Sequence, residues 1–279
     1  MTALSLRSAL GATMLWAAQV GGTTFPATVE VDLIFPRNDT YAPSALFPIV
    51  FAFQNAALAP SLDPGFDLTI QSSDGGNTTA QIQNPLLDQT WNNFSSSEPT
   101  YVYTYITNLN ETDSGVAASY MLSWAFGAGN CSNDTGSQTL GGGFRSSSVE
   151  FTIQSGAQQP DLVAATASSS SCANMSHFAF NLTGTLDVAL PAQYDGRNTC
   201  AVFSDVQPLV AGDPCAVQVG SATASSISAA LTATACAAVS PVVSCPSDNA
   251  AQGRLKMGYT GYTAVFGGIL AGFIAIQCL

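Results

Sequence analysis

The strongest constraint on the fold is a period-two alternation of apolar and polar residues, which recurs between positions 27 and 154. In the first such segment, Val29, Val31 and Leu33 alternate with Glu30 and Asp32. Successive side chains of a β-strand point to opposite faces, so this pattern gives a strand one apolar and one polar face. We therefore expect half-buried strands in this region, and not helices.

Seven segments carry strand patterns, and they are separated by Pro, Gly, Asn and Asp, which favour turns. The segments are residues 29–35, 46–54, 66–71, 79–83, 101–107, 120–126 and 149–154. Seven short strands over about 130 residues predict a β-sandwich of two sheets. The fold class that we expect is all-β: an immunoglobulin- or fibronectin-like β-sandwich followed by a smaller, mostly β, disulfide-rich module.

One local motif favours a particular kind of sandwich. Asp113 precedes Tyr120, Leu122 and Trp124 in an arrangement that resembles the tyrosine corner of immunoglobulin-like domains. Leu122 stands where an immunoglobulin domain has cysteine, and the interval from Asp113 to Tyr120 is longer than in that motif. We therefore expect Tyr120 at a corner, Leu122 and Trp124 in the core, and a fibronectin-like sandwich without a central disulfide.

A change in composition at residues 159–171, where Ala and Ser accumulate, predicts a linker. On that basis the sandwich occupies residues 23–158 and a cysteine-rich module occupies residues 172–246. Within the module, alternating apolar residues on both sides of Gly184 predict a β-hairpin that turns there. Residues 221–235 are almost all Ala, Ser, Thr or aliphatic, which predicts a helix, with an O-glycosylated stretch as the alternative.

The amino-terminal segment carries a targeting pattern. Arg7 is followed by an apolar run at residues 9–20 and then by the small residues Gly21 and Gly22. This layout is typical of a secretory signal peptide, so we expect residues 1–22 to be removed.

Residues 247–279 carry a second targeting pattern. Small residues at 249–251 precede a ten-residue spacer, and the uncharged residues 262–279 follow. This order is typical of a glycosylphosphatidylinositol (GPI) attachment signal, with lipid attachment at about Asn249. A transmembrane helix is the alternative. The glycines of the uncharged stretch and the cations before it favour the GPI signal, and hence display at the cell surface.

Loss of both signals would leave a strongly acidic chain. Its Lys and Arg residues would be Arg37, Arg145 and Arg197, against all eighteen Asp and Glu residues, for a formal charge of −15. Such a charge repels nucleic acid and anionic lipid headgroups. We therefore expect no nucleic-acid partner, and membrane contact only through the lipid anchor.

Six of the seven cysteines lie before the expected GPI signal: Cys131, Cys172, Cys200, Cys215, Cys236 and Cys245. An even set in a secreted protein predicts up to three disulfides, and all fifteen pairings of six cysteines remain open. A bond between Cys215 and Cys236 would span the predicted helix. The chain has one histidine and no C-x-x-C motif, so we expect no metal site and infer no cofactor.

Eight asparagines stand in the N-x-Ser/Thr glycosylation sequon: Asn38, Asn77, Asn93, Asn110, Asn130, Asn133, Asn174 and Asn181. Asn130 and Asn133 are three positions apart, so we do not expect both to be used. Occupied sequons would lie on the surface of a secreted glycoprotein.

The sequence contains no recognisable catalytic motif. His177 is the only histidine, and alternation places it opposite Phe178 and Phe180, exposed beside the sequon at Asn181. Such a position favours a surface residue over a general base. There is no G-x-S-x-G motif, and the four glutamates match no glycosidase motif, although two carboxylates could act as acid and base. We assign no catalytic residue.

Three tyrosines, Tyr101, Tyr103 and Tyr105, fall on one face of a predicted strand in steps of about 6.7 Å. Exposed rings could stack against successive sugar rings and so bind carbohydrate. Buried rings would instead form a wall of the sandwich, with Val102, Thr104 and Ile106 facing outward or lying under a loop. We favour the buried alternative.

Residues 29–43 (VEVDLIFPRNDTYAP), 47–55 (FPIVFAFQN) and 58–62 (LAPSL) resemble an uncharacterised family of secreted proteins of filamentous fungi. The resemblance extends through residues 120–132 and into the cysteine-rich segment. It implies a fungal surface glycoprotein and carries over no catalytic residue.

The function that we expect is a structural or interaction role, without catalysis, for a GPI-anchored glycoprotein of the cell surface or cell wall. Its partners would be cell-wall polysaccharide or other surface proteins. A surface carbohydrate-binding or carbohydrate-active protein is the alternative.

Overall fold

The structure is a computed structural model, and it describes residues 24–73, 78–83, 94, 99–109, 117–131, 138–139, 144–187, 199–204 and 211–245. The expected signal peptide at 1–22 and the expected GPI signal at 247–279, with Asn249, lie outside these residues.

Twelve strands occur in the described parts of the chain. In chain order they are β1 (Ala27–Phe35), β2 (Thr40–Tyr41), β3 (Phe47–Gln54), β4 (Gly65–Ser72), β5 (Thr78–Gln83), β6 (Thr100–Ile106), β7 (Ala118–Gly127), β8 (Asn130–Cys131), β9 (Gln138–Thr139), β10 (Phe144–Ile153), β11 (His177–Asp187) and β12 (Thr199–Phe203). The seven strands predicted from the alternation correspond to β1, β3, β4, β5, β6, β7 and β10. The all-β prediction is therefore confirmed.

Ten of these strands form two five-stranded sheets. The first sheet has the order β12-β11-β1-β3-β6, and the second has the order β2-β10-β7-β4-β5. Neighbouring strands are antiparallel except β10 and β2, which are parallel. β8 and β9 form a separate two-stranded sheet.

Aromatic rings from the inner faces of the two sheets meet in the core. The Phe51 ring of the first sheet lies 4.6 Å from that of Phe66 and 5.1 Å from that of Trp124, both in the second sheet. Leu122 and Trp124 are fully buried, as predicted. Trp124 Nε1 donates a hydrogen bond of 3.0 Å to Ser176 Oγ, which satisfies the one polar atom of its side chain.

Strands from both sides of the predicted linker at 159–171 belong to the first sheet. β11 pairs with β1, from Ala27 opposite Leu182 to Asp32 opposite His177. The linker segment itself contains the 3₁₀ helix Ala164–Thr166 and begins the short helix α1 (Ser169–Cys172). The first sheet is therefore completed by residues that follow this segment.

The predicted turn at Gly184 is wrong. β11 runs from His177 to Asp187 without turning, and Gly184 lies opposite Val202 of β12. The register shifts between Leu182 and Gly184, so two residues of β11 oppose one of β12. An extra residue of this kind is a β-bulge, which a glycine accommodates inside a continuous strand.

The predicted helix at 221–235 is confirmed as α2 (Ser221–Cys236). Ile227, Leu231 and Ala235 are its buried residues, and their spacing of four places them on one face. Two further 3₁₀ helices occupy Ala56–Leu62 and Pro214–Ala216. Among the residues that the structure describes, no helix is long and apolar enough to cross a membrane.

All six cysteines expected to form disulfides do so, in the pairs Cys131–Cys200, Cys172–Cys215 and Cys236–Cys245. Cys215 therefore does not pair with Cys236. Cys215 precedes α2 and bonds back to Cys172, whereas Cys236, the last residue of α2, bonds forward to Cys245. No disulfide therefore joins the two ends of the helix.

Candidate functional site

Two carboxyl groups lie at the centre of the first sheet, on its outer face. Glu30 and Asp32 of β1 alternate with inward-facing residues, and β1 is the middle strand of the five. Across the sheet, Glu30 stands opposite Gln54 of β3, and Asp32 stands opposite His177 of β11. Acidic residues on an outer face would ordinarily meet solvent, yet Glu30 is 4% exposed and Asp32 is 0% exposed.

A later part of the chain provides this burial. Residues 211–220, which we call the cover, contact the carboxyl groups through Asp213. The Asp213 N–H donates to Glu30 Oε2 at 2.7 Å, and Gln54 Nε2 donates both to Asp32 Oδ2 at 2.9 Å and to the Asp213 carbonyl at 3.0 Å. The cover therefore bonds to β1 directly and to β3 through one amide side chain.

The cover approaches the sheet too closely for a side chain at Gly212. A Cβ atom at that position would collide with the Glu30 carboxylate and with the ring of His177. Glycine is the residue that allows such close approach of a backbone to its neighbours. His177 is half-buried as a result, so the prediction of an exposed histidine is wrong, and its Nδ1 lies 3.0 Å from the Met175 carbonyl oxygen.

Burial controls the charge of the pair. Glu30 Oε1 and Asp32 Oδ1 are buried and are not hydrogen-bonded to any other group among the described residues. Burial, followed by the negative charge of Glu30, raises the pKa of Asp32 from 3.8 to about 8, although the hydrogen bond from Gln54 acts in the opposite direction. A hydrogen bond between the two acid side chains also helps to raise the pKa of Asp32. Asp32 is therefore protonated and neutral below that pH. Both carboxyl groups are closed off from solvent; Glu30 is bonded to the cover directly, and Asp32 is linked to it through Gln54.

Tyr101, Tyr103 and Tyr105 lie on this same outer face, along the edge strand β6. All three are half-buried and pack against the hydrophobic core cluster. Tyr101 Oη donates to the Gln218 carbonyl of the cover at 3.5 Å, and α2 contacts β6. Burial raises the pKa of the Tyr101 phenol.

The residues between the tyrosines face inward, which corrects the expectation that they would face outward. Val102 stands opposite Phe51, and Ile106 stands opposite Phe47. Phe51 contacts rings of the second sheet, so this face of β6 points into the sandwich. The register of β6 thus turns the tyrosines to the outer face, where the cover and α2 shield them in part. Ligand binding by these tyrosines stays a prediction.

A cavity of about 700 Å³ lies beside the end of β1 and the start of α1. Its polar groups bond to one another. The Arg37 guanidinium donates to the Leu33 and Ser171 carbonyls, and Gln158 Nε2 donates to Asp39 Oδ2 at 2.7 Å. Burial lowers the pKa of Arg37. Arg37, Asp39 and Gln158 of the lining are therefore bonded within the protein.

Four of the eight sequons lie in the described parts of the chain. Asn38 and Asn174 are exposed, and both line the cavity. Asn181 is half-buried in β11. Asn130 is half-buried, and its Oδ1 accepts a hydrogen bond of 3.0 Å from the Phe203 N–H. Asn77, Asn93, Asn110 and Asn133 lie outside the described residues.

Within the described residues, no group of three or more His, Cys, Asp or Glu side chains is arranged to hold a metal ion. Glu30, Asp32 and Asp213 therefore do not form such a group. The two acids are bonded to the Asp213 N–H and to the Gln54 amide.

Sequence reasoning missed the pair because alternation marked Glu30 and Asp32 as solvent-facing. One signal was available: they stand within VEVDLIF, an otherwise apolar run whose last three residues are not interrupted by a polar one. Such a run indicates a central strand that is covered on both faces.

One protein-family model matches this chain, over residues 24–245, and its description is domain of unknown function (DUF7136). This agrees with the expected resemblance to an uncharacterised family. No curated protein and no solved structure matches. The match runs through residues 159–171 and therefore includes both predicted domains.

Proposed function

We propose that this chain, which belongs to the family of domains of unknown function DUF7136, is an extracellular glycoprotein attached to the cell surface or cell wall by a GPI anchor. Its role is structural or is one of interaction with wall polysaccharide or surface proteins, without catalysis. The fungal source implied by the sequence resemblance is part of the same proposal.

The disulfides are the observation that carries the proposal. Three bonds join all six cysteines between residues 131 and 245. Disulfides form and persist in oxidising compartments, chiefly outside the cell or on the way there. The exposed sequons at Asn38 and Asn174 are accessible to the glycosylation machinery of the same route.

A role without catalysis is supported by the state of the acidic groups. Glu30 and Asp32 are closed off from solvent and bonded to the cover. An acid and base that cleave a glycosidic bond must instead flank the substrate. The arrangement supports a structural use of this pair.

The anchor is tested on intact cells that express the full chain. Treatment with a phosphatidylinositol-specific phospholipase should release the protein, and deletion of residues 262–279 should send it to the medium without treatment. A matched control replaces the same residues with a known transmembrane helix, which the phospholipase should not release. Retention of the full chain after treatment, together with an unchanged location of the deletion variant, would contradict the proposal.

Carbohydrate binding is the second candidate function. It is favoured by one observation, the row of half-buried tyrosines on the outer face of edge strand β6. The test is a screen of wall polysaccharides against the purified protein. Binding that falls at least tenfold in Tyr103→Ala and not in Met121→Ala, a change at an exposed residue of the other sheet, would support this function. Absence of binding to every polysaccharide would count against it.

A further inference from the structure

We propose that the cover is a pH-dependent latch over the outer face of the first sheet: it is held closed while the Glu30–Asp32 pair retains a proton, and its opening becomes easier as the pH rises. The proposal goes beyond surface attachment and does not depend on it.

Few polar contacts connect the cover to the Glu30–Asp32 pair. Only the Asp213 N–H and the Gln54 amide are bonded to the pair in the described part of the chain, and Gln54 also holds the Asp213 carbonyl. Both contacts end on carboxyl oxygens of β1. A change in the charge of the pair therefore acts directly on the residues that hold the cover to the sheet.

Among the described residues, the groups that face the pair supply negative charge and no balancing cation. Asp213 comes from the cover, and the neighbouring strands contribute the neutral Gln54 and the ring of His177. Arg37 bonds to the Ser171 carbonyl, and Arg145 bonds to the Ala179 carbonyl and lies 4.5 Å from the Phe180 ring centre. Loss of the proton from Asp32 thus creates a buried negative charge beside two further carboxylates, a costly arrangement.

The direction of the pH effect depends on which state of the cover, closed or open, binds the Asp32 proton more tightly. Burial raises the pKa of Asp32 to about 8 with the cover closed, whereas an Asp in contact with water has an ordinary value near 4. The closed state therefore binds more protons than the open state between these two values. Closure is favoured most in acid, weakens as the pH rises towards 8, and changes little beyond that.

The surrounding contacts keep the opening local. Cys215 within the cover is joined to Cys172, and the Val219 N–H donates to Thr166 Oγ1 at 2.9 Å. Val217 and Val219 of the cover are buried in the hydrophobic core cluster, whereas the aromatic rings that join the two sheets do not include residues 211–214. Lifting of residues 211–214 breaks the Asp213 contacts first and leaves the sandwich intact.

Amide hydrogen exchange, corrected for the intrinsic exchange rate at each pH, measures this opening directly. The readout is the Asp213 amide in the purified, disulfide-bonded protein between pH 5 and pH 8, with the amides of β7 as an internal reference. The range from pH 5 to pH 8 lies between the pKa of Asp32 with the cover open and its pKa with the cover closed. Protection of the Asp213 amide should therefore fall by up to tenfold for each pH unit. Protection in β7 should stay constant.

Two variants identify the responsible group. Asp32→Asn keeps the shape of the side chain and cannot ionise, so it should remove the pH dependence at Asp213. Asp67→Asn is the matched control, because Asp67 is an exposed aspartate on β4 of the other sheet, and it should behave as the unmodified protein.

A pH-independent Asp213 amide in the unmodified protein would overturn the proposal, and this result does not require any variant to fold. So would a parallel loss of protection in β7, which would indicate opening of the whole sandwich. Equal pH dependence in the unmodified protein and in a folded Asp32→Asn variant would also contradict it.

Discussion

The backbone N–H of Asp213 donates a hydrogen bond of 2.7 Å to Glu30 Oε2, across 183 positions of sequence. It joins the first strand of the sandwich to a segment that follows the last one. The same late segment contributes Val217 and Val219 to the hydrophobic core cluster. The two predicted domains are therefore in contact at the centre of the first sheet.

Removal of the long-range disulfide at the cover should destabilise the protein more than removal of the short one after α2. Cys172 and Cys215 are 43 positions apart, whereas Cys236 and Cys245 are 9 apart. Chain entropy predicts losses of about 4 and about 2.7 kcal/mol respectively, because a cross-link restricts a long unfolded loop more than a short one. Urea unfolding of the two double Cys→Ala variants measures both values, and a larger loss from the shorter bridge would contradict this ranking.

Gly212→Ala should weaken the closure of the cover. The new methyl group collides with Glu30 and His177, and overpacking of this kind costs about 1–3 kcal/mol. Gly184→Ala is the control, because a Cβ atom there meets nothing within 4 Å. Thermal unfolding should show a lower midpoint for Gly212→Ala than for Gly184→Ala. Equal midpoints would show that the cover does not approach the sheet as closely as the structure indicates.

Glycan occupancy should follow the exposure of the asparagine side chains. We expect glycans at Asn38 and Asn174, which are exposed, and none at Asn130, whose amide oxygen accepts a backbone hydrogen bond. Mass spectrometry of peptides from the secreted protein, after enzymatic removal of glycans in heavy-oxygen water, identifies each occupied site. A glycan on most copies of Asn130 would contradict the hydrogen bond. Absence of glycans at every site would instead count against secretion.

The strands could be predicted from the sequence because alternation is a local property. Phe66, Leu68 and Ile70 are buried in β4, and the exposed Asp67 lies between them, as the pattern indicates. Alternation cannot reveal what covers the other face of a strand, because the covering residues are distant in sequence. The burial of Asp32 depends on Asp213 and its neighbours. The apolar run around Asp32 could indicate a covered strand, but it could not identify the distant residues that cover it.

The cysteines show the same limit. Their even number predicted three disulfides, but the pairing depends on distances between distant parts of the chain. Cys131 on β8 bonds to Cys200 on β12 across 69 positions. The prediction of a turn at Gly184 was wrong for a related reason. A glycine between two apolar segments is compatible with a turn or with a bulge, and the partner strand decides between them.

The free energy of unfolding as a function of pH tests most directly whether the protonated Glu30–Asp32 pair stabilises the folded protein with its cover closed. The pKa of Asp32 is raised in the folded protein, to about 8, so its protonation stabilises the folded state in acid. That stabilisation is full below the ordinary pKa of 3.8 and is lost as the pH rises through 8. Urea unfolding of the unmodified protein and of Asp32→Asn at pH 5, 6 and 7 isolates this contribution. The account predicts that the free energy of unfolding of the unmodified protein, relative to Asp32→Asn, falls by up to about 1.4 kcal/mol per pH unit. A difference that stays constant over this range would contradict it.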